Sequence, residues 1–382
     1  MARHSESPPF ECVALTLQGG GALGAYQGGV YQALSEAALY PTWVAGISIG
    51  SINAAIIAGN PPETRVDKLR GFWESITSTP FFDALRLVER TATRAEAGRK
   101  MFNHISAMAA FTIGVTGFFR PRIPALFFGS AASASELSYY DTQVLIGTLE
   151  RFVDFDRINS GETRFSAGAV NVRTGNFVYF DSMTRKIKPE HILASAALPP
   201  GFPAVEIDGE FYWDGGLVSN TPLQWVLEFG PRQDTLAFEV DLWSSRGRIP
   251  RSFAEVATRE KEIRFSSRTR DNTDRFADIQ RIRHAIAELM GELPTETLER
   301  PHIRSLKAFA DCKVYNIVHL IYGPREYEGV SKDYEFSQLS MKDHWKAGYH
   351  DTVRTLRHPE ALNRPKNSEG LAIFDFSDTE SA

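Results

Sequence analysis

The most constraining feature of this chain is a pair of apolar segments that each end in a glycine-containing turn and continue as a helical pattern. The first segment runs from Cys12 to Leu17 and leads into GGGALG at 19–24. The second runs from Trp43 to Ile47 and leads into a helical pattern through GISIG at 46–50. Strands that alternate with helices in this way predict an α/β fold on a mostly parallel sheet.

The chain has 382 residues, enough for one large α/β domain with an additional lobe. Two further strand pairs are predicted, one on either side of the turn at 173–175 and one that turns at Asp208-Gly209. We expect a flexible tail at 1–10, the main domain at 11–245, a C-terminal extension packed on it at 246–360, and an acidic tail at 361–382.

Composition excludes several classes of function. Hydrophobic residues make up 43% of the chain and charged residues 23%, which is typical of a globular protein. The net charge of −5 provides no overall basic field, so we expect no nucleic-acid partner. The two cysteines, Cys12 and Cys312, support neither a disulfide framework nor a cysteine-based metal site. With no apolar run of about 18 residues and no secretory signal pattern, these features predict a cytoplasmic protein.

The glycine turn at 19–24 has two functional interpretations. Gly19, Gly21 and Gly24 form a GxGxxG pattern between a strand and a helix, which is typical of dinucleotide binding. That interpretation requires an acidic residue about 20 positions further on, at the end of the second strand. The stretch from Tyr40 to Ile47 contains none. The dinucleotide hypothesis is therefore disfavoured.

The other interpretation is an oxyanion hole. Consecutive glycines at the start of a helix expose backbone N–H groups, and the helix dipole adds positive potential at the same place. One such donor contributes about 3 kcal/mol to stabilising a transition state. A tight turn without a catalytic role is the alternative. The candidate donors are Gly19, Gly20, Gly21 and Ala22, with Gly24 supporting the turn.

The GISIG segment matches the GxSxG pattern of a nucleophile elbow, and it lies between a strand and a helix as that motif requires. Gly46 and Gly50 remove Cβ atoms that would clash on a cramped turn. Ser48 would then present its hydroxyl at a helix N-terminus, where negative charge is stabilised. Ser48 is thus the candidate nucleophile, and a buried structural serine is the alternative.

A serine nucleophile needs a base. None of the nine histidines lies in a setting that singles it out, and His319, within an apolar strand, is more typical of a core histidine. Asp214 directly follows a predicted strand and precedes Gly215 and Gly216. It is either a catalytic carboxylate or an ordinary turn aspartate. A Ser–Asp–His triad that uses a downstream histidine such as His319 stays open.

Together the motifs at 19–24, 46–50 and 214–216 resemble those of the patatin-like phospholipase family, over roughly residues 11–225. The resemblance implies a three-layer α/β/α fold and hydrolysis of lipid carboxylic esters through an acyl-enzyme, without metal or cofactor. By position, Ser48 would be the nucleophile and Asp214 the base. The N–H groups around Gly20, Gly21 and Ala22 would form the oxyanion hole.

Two features qualify this resemblance. Many members carry Arg or Lys where this chain has Leu23, which weakens any inference about anionic head groups. The segment from Tyr334 to Tyr349 resembles the C-terminal extension of a bacterial subgroup of the family. The resemblance assigns no role to this extension.

The expected partner is a lipid or another hydrophobic ester, with transient contact at a membrane surface. Residues 105–135 hold several aromatic residues with Arg120 and Arg122, and form either a lid or interfacial insertion or a helical hairpin packed on the domain. Exposed Phe118 and Phe119 would indicate the interface. Hydroxyalkanoate oligomers, thioesters and a catalytically silent scaffold are the alternatives. The sequence favours no particular oligomeric state.

Overall fold

The structure, a computed structural model, describes residues 8–78, 95–122, 133–230, 232–266, 269–323, 325, 327–367 and 369–376. Residues 123–132 of the predicted insertion lie outside the described residues. Most of the predicted N-terminal tail and the last residues of the acidic tail do so as well.

Nine strands form one central sheet. They are β1 (Cys12–Leu17), β2 (Trp43–Ile47), β5 (Arg164–Asn171), β6 (Phe177–Asp181), β7 (Val205–Ile207), β8 (Glu210–Asp214), β9 (Thr235–Asp241), β10 (Tyr315–Ile321) and β11 (Leu371–Asp375). A separate antiparallel pair consists of β3 (Arg120–Pro121) and β4 (Tyr140–Asp141).

The strand order is β11-β10-β9-β1-β2-β5-β8-β7, and β6 also pairs with β5. The six strands from β11 to β5 are parallel, whereas β6 and β8 run antiparallel to β5, and β7 runs antiparallel to β8. In such sheets ligands bind beyond the carboxyl ends of the parallel strands. The two glycine-containing turns follow β1 and β2, so both lie at that edge.

Helices cover the sheet and connect its strands. They are α1 (Ala25–Glu36), α2 (Ile49–Ala58), α3 (Arg65–Thr77), α4 (Glu96–Ile113), α5 (Val144–Phe152), α6 (Phe155–Ser160), α7 (Pro189–Ser195), α8 (Phe253–Phe265), α9 (Thr269–Glu292), α10 (Thr295–Leu298), α11 (Pro301–Leu306) and α12 (Gln338–Thr355). The C-terminal helix α12 packs against α1.

Both faces of the sheet are buried. On β1, Val13, Leu15 and Leu17 face the larger core, which includes side chains of α1, α2, α3 and α12. The alternate residues Cys12 and Ala14 face a second core that includes Phe276 of α9. Because successive strand residues point to opposite faces, β1 is apolar throughout. The prediction of a three-layer α/β/α fold is confirmed.

The strand predictions agree closely with the structure. The apolar segments predicted for β1 and β2 have the same bounds in the structure, and the two predicted hairpins are β5–β6 and β7–β8. Asp208 and Gly209 have φ values of 53° and 80°. Positive φ at both turn positions is typical of a tight hairpin turn, which explains the Asp-Gly pair.

Two strands lie outside the predicted main domain. β10 falls within the segment 246–360 and β11 within the segment 361–382, yet both extend the central sheet beside β9. The C-terminal region therefore completes the sheet instead of only packing on it. β11 was not predicted, because its five residues form only a short apolar pattern among polar neighbours.

Candidate active site

Ser48 lies on a sharp turn between β2 and α2. Its φ of 55° is a left-handed value that non-glycine residues rarely adopt. A Cβ on Gly46 would lie 2.2 Å from the Gly50 carbonyl oxygen, and one on Gly50 would lie 2.2 Å from the Leu17 carbonyl oxygen. The two glycines are therefore a steric requirement of the turn. The strained serine matches the geometry of a nucleophile elbow.

Sheet register brings Asp214 to the level of Ser48. Ile47 of β2 is opposite Gly168 of β5, and the next residue of β5, Ala169, is opposite Asp214 of β8. Ser48 and Asp214 therefore flank the same position of β5 from its two sides. A Cβ on Gly215 would lie 2.7 Å from the Gly168 carbonyl oxygen, so the residue after Asp214 must be small.

The Asp214 carboxylate is buried and hydrogen bonded to Ser48 and to the backbone of Gly216. It accepts a hydrogen bond from the Ser48 side chain, and the Gly216 N–H donates to its Oδ1 at 2.7 Å. Burial raises the pKa of Asp214 from 3.8 to about 7, although these two hydrogen bonds oppose the rise. Asp214 is therefore a far stronger base than an exposed aspartate, and it is in contact with the hydroxyl it would deprotonate.

The glycine turn lies directly against Ser48. A Cβ on Gly19 would lie 3.0 Å from the Ser48 Cβ and 2.3 Å from Asn220 Oδ1, so only glycine fits there. The turn itself begins the helical segment that becomes α1. This placement beside a serine, with no acidic residue at the end of β2, disfavours dinucleotide binding.

Three side chains that the sequence did not single out hold the glycine turn in place. Asn220 Nδ2 and Trp243 Nε1 each donate to the Gly19 carbonyl oxygen at 2.9 Å. Gln18 Oε1 accepts from the backbone N–H groups of Leu242 and Trp243 at 2.7 and 2.9 Å. Asn220 follows Asp214 by only a few residues. This proximity is the one local signal that could have indicated a role for Asn220 at the site.

Two of the four candidate oxyanion donors already have acceptors within the protein. The Gly19 N–H donates to the Asn220 carbonyl oxygen at 3.3 Å, and the Ala22 N–H donates to the Asp333 carbonyl oxygen at 2.7 Å. Within the described part of the chain, the N–H groups of Gly20 and Gly21 have no such acceptor. These two N–H groups are therefore the ones free of a competing hydrogen bond to the described residues, while the four-donor oxyanion hole stays a prediction.

An apolar cavity of about 400 Å³ opens beside Ser48 and Asp214. Its volume lies within the range of small-molecule binding sites. The glycine turn forms one part of its wall and the Pro-containing loop at 198–202 another. Nine of the residues that line it are aromatic: Phe111, Phe118, Phe119, Tyr140, Phe202, Trp243, Phe265, Tyr334 and Phe336.

Phe118 and Phe119 contribute to this cavity and not to the protein surface. They are 5% and 6% exposed, and both rings contact the ring of Phe202. The criterion for an interfacial patch, exposure of these two side chains, is therefore not met. Exposed apolar residues do occur in the same region, on α4, where Met101 and Phe111 are 66% and 56% exposed.

No histidine is among the described residues that line this cavity. His319, the candidate for a triad, instead forms an ion pair with Glu239, its Nδ1 lying 2.8 Å from Oε2. Burial lowers the pKa of His319, but the Glu239 carboxylate outweighs burial and raises it to about 9. With His319 in that pair, the geometry favours Ser48 and Asp214 without histidine.

Among the described residues, one group could geometrically hold a metal ion: Glu239, Asp241 and His319, with ligand atoms within 4.8 Å of one another. Glu239 and His319 already form the ion pair described above, and none of the three lines the cavity beside Ser48.

Among the helices of the described residues, none has the length and apolar character needed to cross a bilayer.

Leu23, where the glycine turn departs from the pattern of the family it resembles, is fully buried in the larger core. It lies behind the glycine turn and does not line the cavity. The leucine therefore stabilises the turn from beneath, and the departure from the common pattern leaves the backbone donors of Gly20 and Gly21 in place.

Comparison with known proteins identifies the family. The model described as "Patatin-like phospholipase" matches residues 15–227, more than half of the chain, and a second, described as "Patatin phospholipase", matches residues 263–368. No curated protein matches the chain in sequence.

Two solved structures are similar to the chain at low sequence identity. VipD from Legionella pneumophila is 14% identical with a TM-score of 0.39, over 98% of this chain and 73% of that one. A structure of full-length SpcU in complex with full-length ExoU, from the type III secretion system of Pseudomonas aeruginosa, is 18% identical with a TM-score of 0.25, over 70% of this chain and 52% of that one. On the family match, which covers the glycine turn, Ser48 and Asp214, this chain belongs to the patatin-like phospholipase family.

Proposed function

We propose that this protein is a serine hydrolase that cleaves carboxylic esters of lipid acyl chains through a Ser48–Asp214 dyad. One observation carries the proposal: Ser48 is hydrogen bonded to a buried aspartate at the wall of an apolar cavity, beside a glycine turn. Membership of a phospholipase family supports lipid ester hydrolysis as the general activity. The dyad and the acyl-enzyme are the specific parts of the proposal.

The proposed reaction uses these positions. Asp214 accepts the hydroxyl proton while Ser48 Oγ attacks the ester carbonyl carbon, and the developing oxyanion binds the N–H groups of Gly20 and Gly21. Collapse of the tetrahedral intermediate breaks the bond to the alcohol, which takes the proton from Asp214. Water then attacks the acyl-enzyme with Asp214 again as the base, which releases the fatty acid and regenerates Ser48.

The cavity favours an acyl chain as the group that it binds. Its wall is largely apolar and rich in aromatic side chains, and the described side chains that line it offer only two carboxylates, Asp214 and Asp333. An aromatic lining binds a hydrocarbon chain through contact area and does not select a head group. We therefore infer that recognition acts mainly on the acyl part of the substrate.

The rate of hydrolysis should depend on pH through Asp214. A base must be ionised to accept the serine proton, and the pKa of this carboxyl is about 7. We expect kcat/KM to rise as the pH increases through about 7 and to level off above it, as expected for a single ionisation. Ester hydrolysis measured from acidic to alkaline pH tests this, and a rate that stays constant through neutrality would contradict it.

The exposed apolar side chains of α4 lie next to the cavity. Met101, Ile105, Met108 and Phe111 recur at helical spacing along one side of this helix, and Phe111 also lines the cavity. We name these four residues the α4 face. An exposed apolar stripe that reaches a cavity mouth supports contact with a lipid surface, from which the substrate would enter.

Replacing Met101 and Met108 with glutamine should weaken hydrolysis of vesicle lipids and spare hydrolysis of a dispersed short-chain ester. These two side chains would otherwise be buried in the lipid surface, so losing their apolar contacts should lower the rate of vesicle lipid hydrolysis about tenfold or more. Both rates are measured on the same preparation. Phe253→Gln is the matched control, because Phe253 is 96% exposed but does not line the cavity. Equal loss in both assays would exclude the α4 face as the contact surface.

The proposed function is tested by labelling the unmodified protein with a fluorophosphonate and locating the adduct by mass spectrometry. We expect a single adduct on Ser48, together with hydrolysis of p-nitrophenyl esters and of phospholipid vesicles. The chain-length profile then identifies the preferred acyl group. Absence of both labelling and hydrolysis would argue for a catalytically silent scaffold, and an adduct at another residue would overturn the assignment of the nucleophile.

A further inference from the structure

Residues 331–336, from the region matched by the second family model, lie directly over the glycine turn. We name them the strap. The Asp333 carbonyl oxygen accepts the hydrogen bond from the Ala22 N–H at 2.7 Å. A Cβ on Gly21, whose φ is 56°, would lie 2.1 Å from the same oxygen. The strap is therefore in van der Waals contact with the turn, and the two segments come from distant parts of the chain.

Two crossed ion pairs hold the strap to α8. Lys261 Nζ lies 2.6 Å from Asp333 Oδ1, and Lys332 Nζ lies 2.7 Å from Glu262 Oε1. The side chains of Lys332 and Glu262 are 2% and 10% exposed. Buried ion pairs add little net stability but fix geometry when they are retained. The crossed arrangement thus defines where the strap lies relative to α8.

The strap also forms part of the cavity wall. Asp333, Tyr334 and Phe336 line the cavity. The Phe336 ring packs against the rings of Phe118 and Phe119, with centroids 5.8 and 6.2 Å apart. One short segment of the C-terminal region therefore contacts the glycine turn and also lines the cavity in which an acyl chain would bind.

A turn made of consecutive glycines requires an external restraint if it is to serve catalysis. Glycine loses more conformational freedom on ordering than other residues. Oxyanion donors are effective only when they are held in place before the charge develops. The strap supplies such a restraint, because the Asp333 carbonyl oxygen accepts the hydrogen bond from the Ala22 N–H. Among the described residues, the neighbouring N–H groups of Gly20 and Gly21 have no such acceptor.

We propose that the strap is a positioning and specificity element of the active site: the Asp333 carbonyl orders the glycine turn, and Phe336 limits the length of the acyl chain that fits. The proposal rests on the proposed function. It gives the C-terminal region an indirect part in catalysis. Asp333 acts through the glycine turn and is a positioning residue.

The ordering role is tested by breaking the ion pair while retaining the Asp333 carbonyl. Lys261→Glu places two negative side chains together, and adding Asp333→Lys restores an opposite-charge pair in the reversed direction. We expect kcat for a short ester to fall about tenfold or more in the single variant with little change in KM, and to recover to within about threefold in the double variant. Lys313→Glu is the matched control, since it breaks the Lys313–Glu11 pair and neither of these residues lines the cavity.

Hydrogen–deuterium exchange gives a second measurement that does not depend on activity. Amides in the peptide covering 17–24 should exchange faster in Lys261→Glu than in the unmodified protein and should regain protection in the double variant. Lys313→Glu should leave them unchanged. If the protein proves inactive and unlabelled, the proposed function fails, but the exchange of this peptide still decides whether the strap orders the turn.

The specificity role is tested with Phe336→Leu, which shortens the side chain and keeps it apolar. We expect the ratio of kcat/KM for long over short acyl esters to rise several-fold. Three results would overturn the proposal: a higher kcat in Lys261→Glu, which would make the strap a plug; unchanged kcat and unchanged exchange in that variant; or an unchanged chain-length profile in Phe336→Leu.

Discussion

Replacing Ser48 with alanine is expected to lower kcat for ester hydrolysis by at least about 10⁴-fold, because the covalent intermediate can no longer form. The remaining rate would reflect substrate binding and the backbone donors alone. Fluorophosphonate labelling should disappear in the same variant. Alanine at this position removes only the hydroxyl, so the thermal midpoint of unfolding should stay close to that of the unmodified protein.

The matched control is Ser75→Ala. Ser75 lies on α3, where its hydroxyl donates to the Phe72 carbonyl oxygen, and it does not line the cavity. Labelling and hydrolysis should both be retained. Substantial hydrolysis by Ser48→Ala, at more than a hundredth of the original rate, would contradict the assignment of Ser48 as the nucleophile.

Replacing Asp214 with asparagine is expected to abolish hydrolysis and to stabilise the fold at alkaline pH. The folded protein keeps the Asp214 proton up to a pH of about 7, whereas an unfolded aspartate loses it near 3.8. Between these values the folded state binds more protons, so the free energy of unfolding falls as the pH rises. Above pH 7 the buried carboxylate destabilises the protein by a few kcal/mol, since each tenfold change in acidity is worth about 1.4 kcal/mol.

Asparagine keeps the shape and carries no charge, so the variant should lose this pH dependence. The free energy of unfolding is measured in urea for both proteins at pH 5 and at pH 8. The amount by which Asp214→Asn exceeds the unmodified protein should be larger at pH 8. His319→Gln, assayed on folded protein, should retain kcat, since His319 pairs with Glu239 away from the cavity. Equal inactivation of both variants would favour a histidine-containing triad.

Local patterns predicted the parts of the site that depend on neighbouring residues. The elbow at Ser48 and the glycine turn are each encoded within a few positions, because their backbone conformations exclude most side chains. Asp214 was predictable as a candidate only. Its contact with Ser48 depends on the register of three strands, β2, β5 and β8, which no local pattern contains.

Other features could not be predicted from the residue types involved. Phe118 and Phe119 are equally compatible with a surface and with a cavity wall, and only the packing around Phe202 decides between them. The acceptor for the Ala22 N–H is a backbone carbonyl, which every residue possesses, so the identity of Asp333 gave no signal. The two predicted donors that proved occupied, Gly19 and Ala22, differ from Gly20 and Gly21 only in what other segments place next to them.

The position of β1 in the sheet has a consequence for the order in which the parts of the site can assemble during synthesis. β1 precedes β9 and β10 in the sequence but pairs with β9, which in turn pairs with β10, and the strap follows β10 along the chain. A nascent chain that ends before residue 331 would carry both members of the proposed dyad without the segment that contacts the glycine turn. Contacts so distant in sequence form late in folding. The proposed hydrolase would therefore gain an ordered glycine turn only after the strap has been synthesised, later than both Ser48 and Asp214.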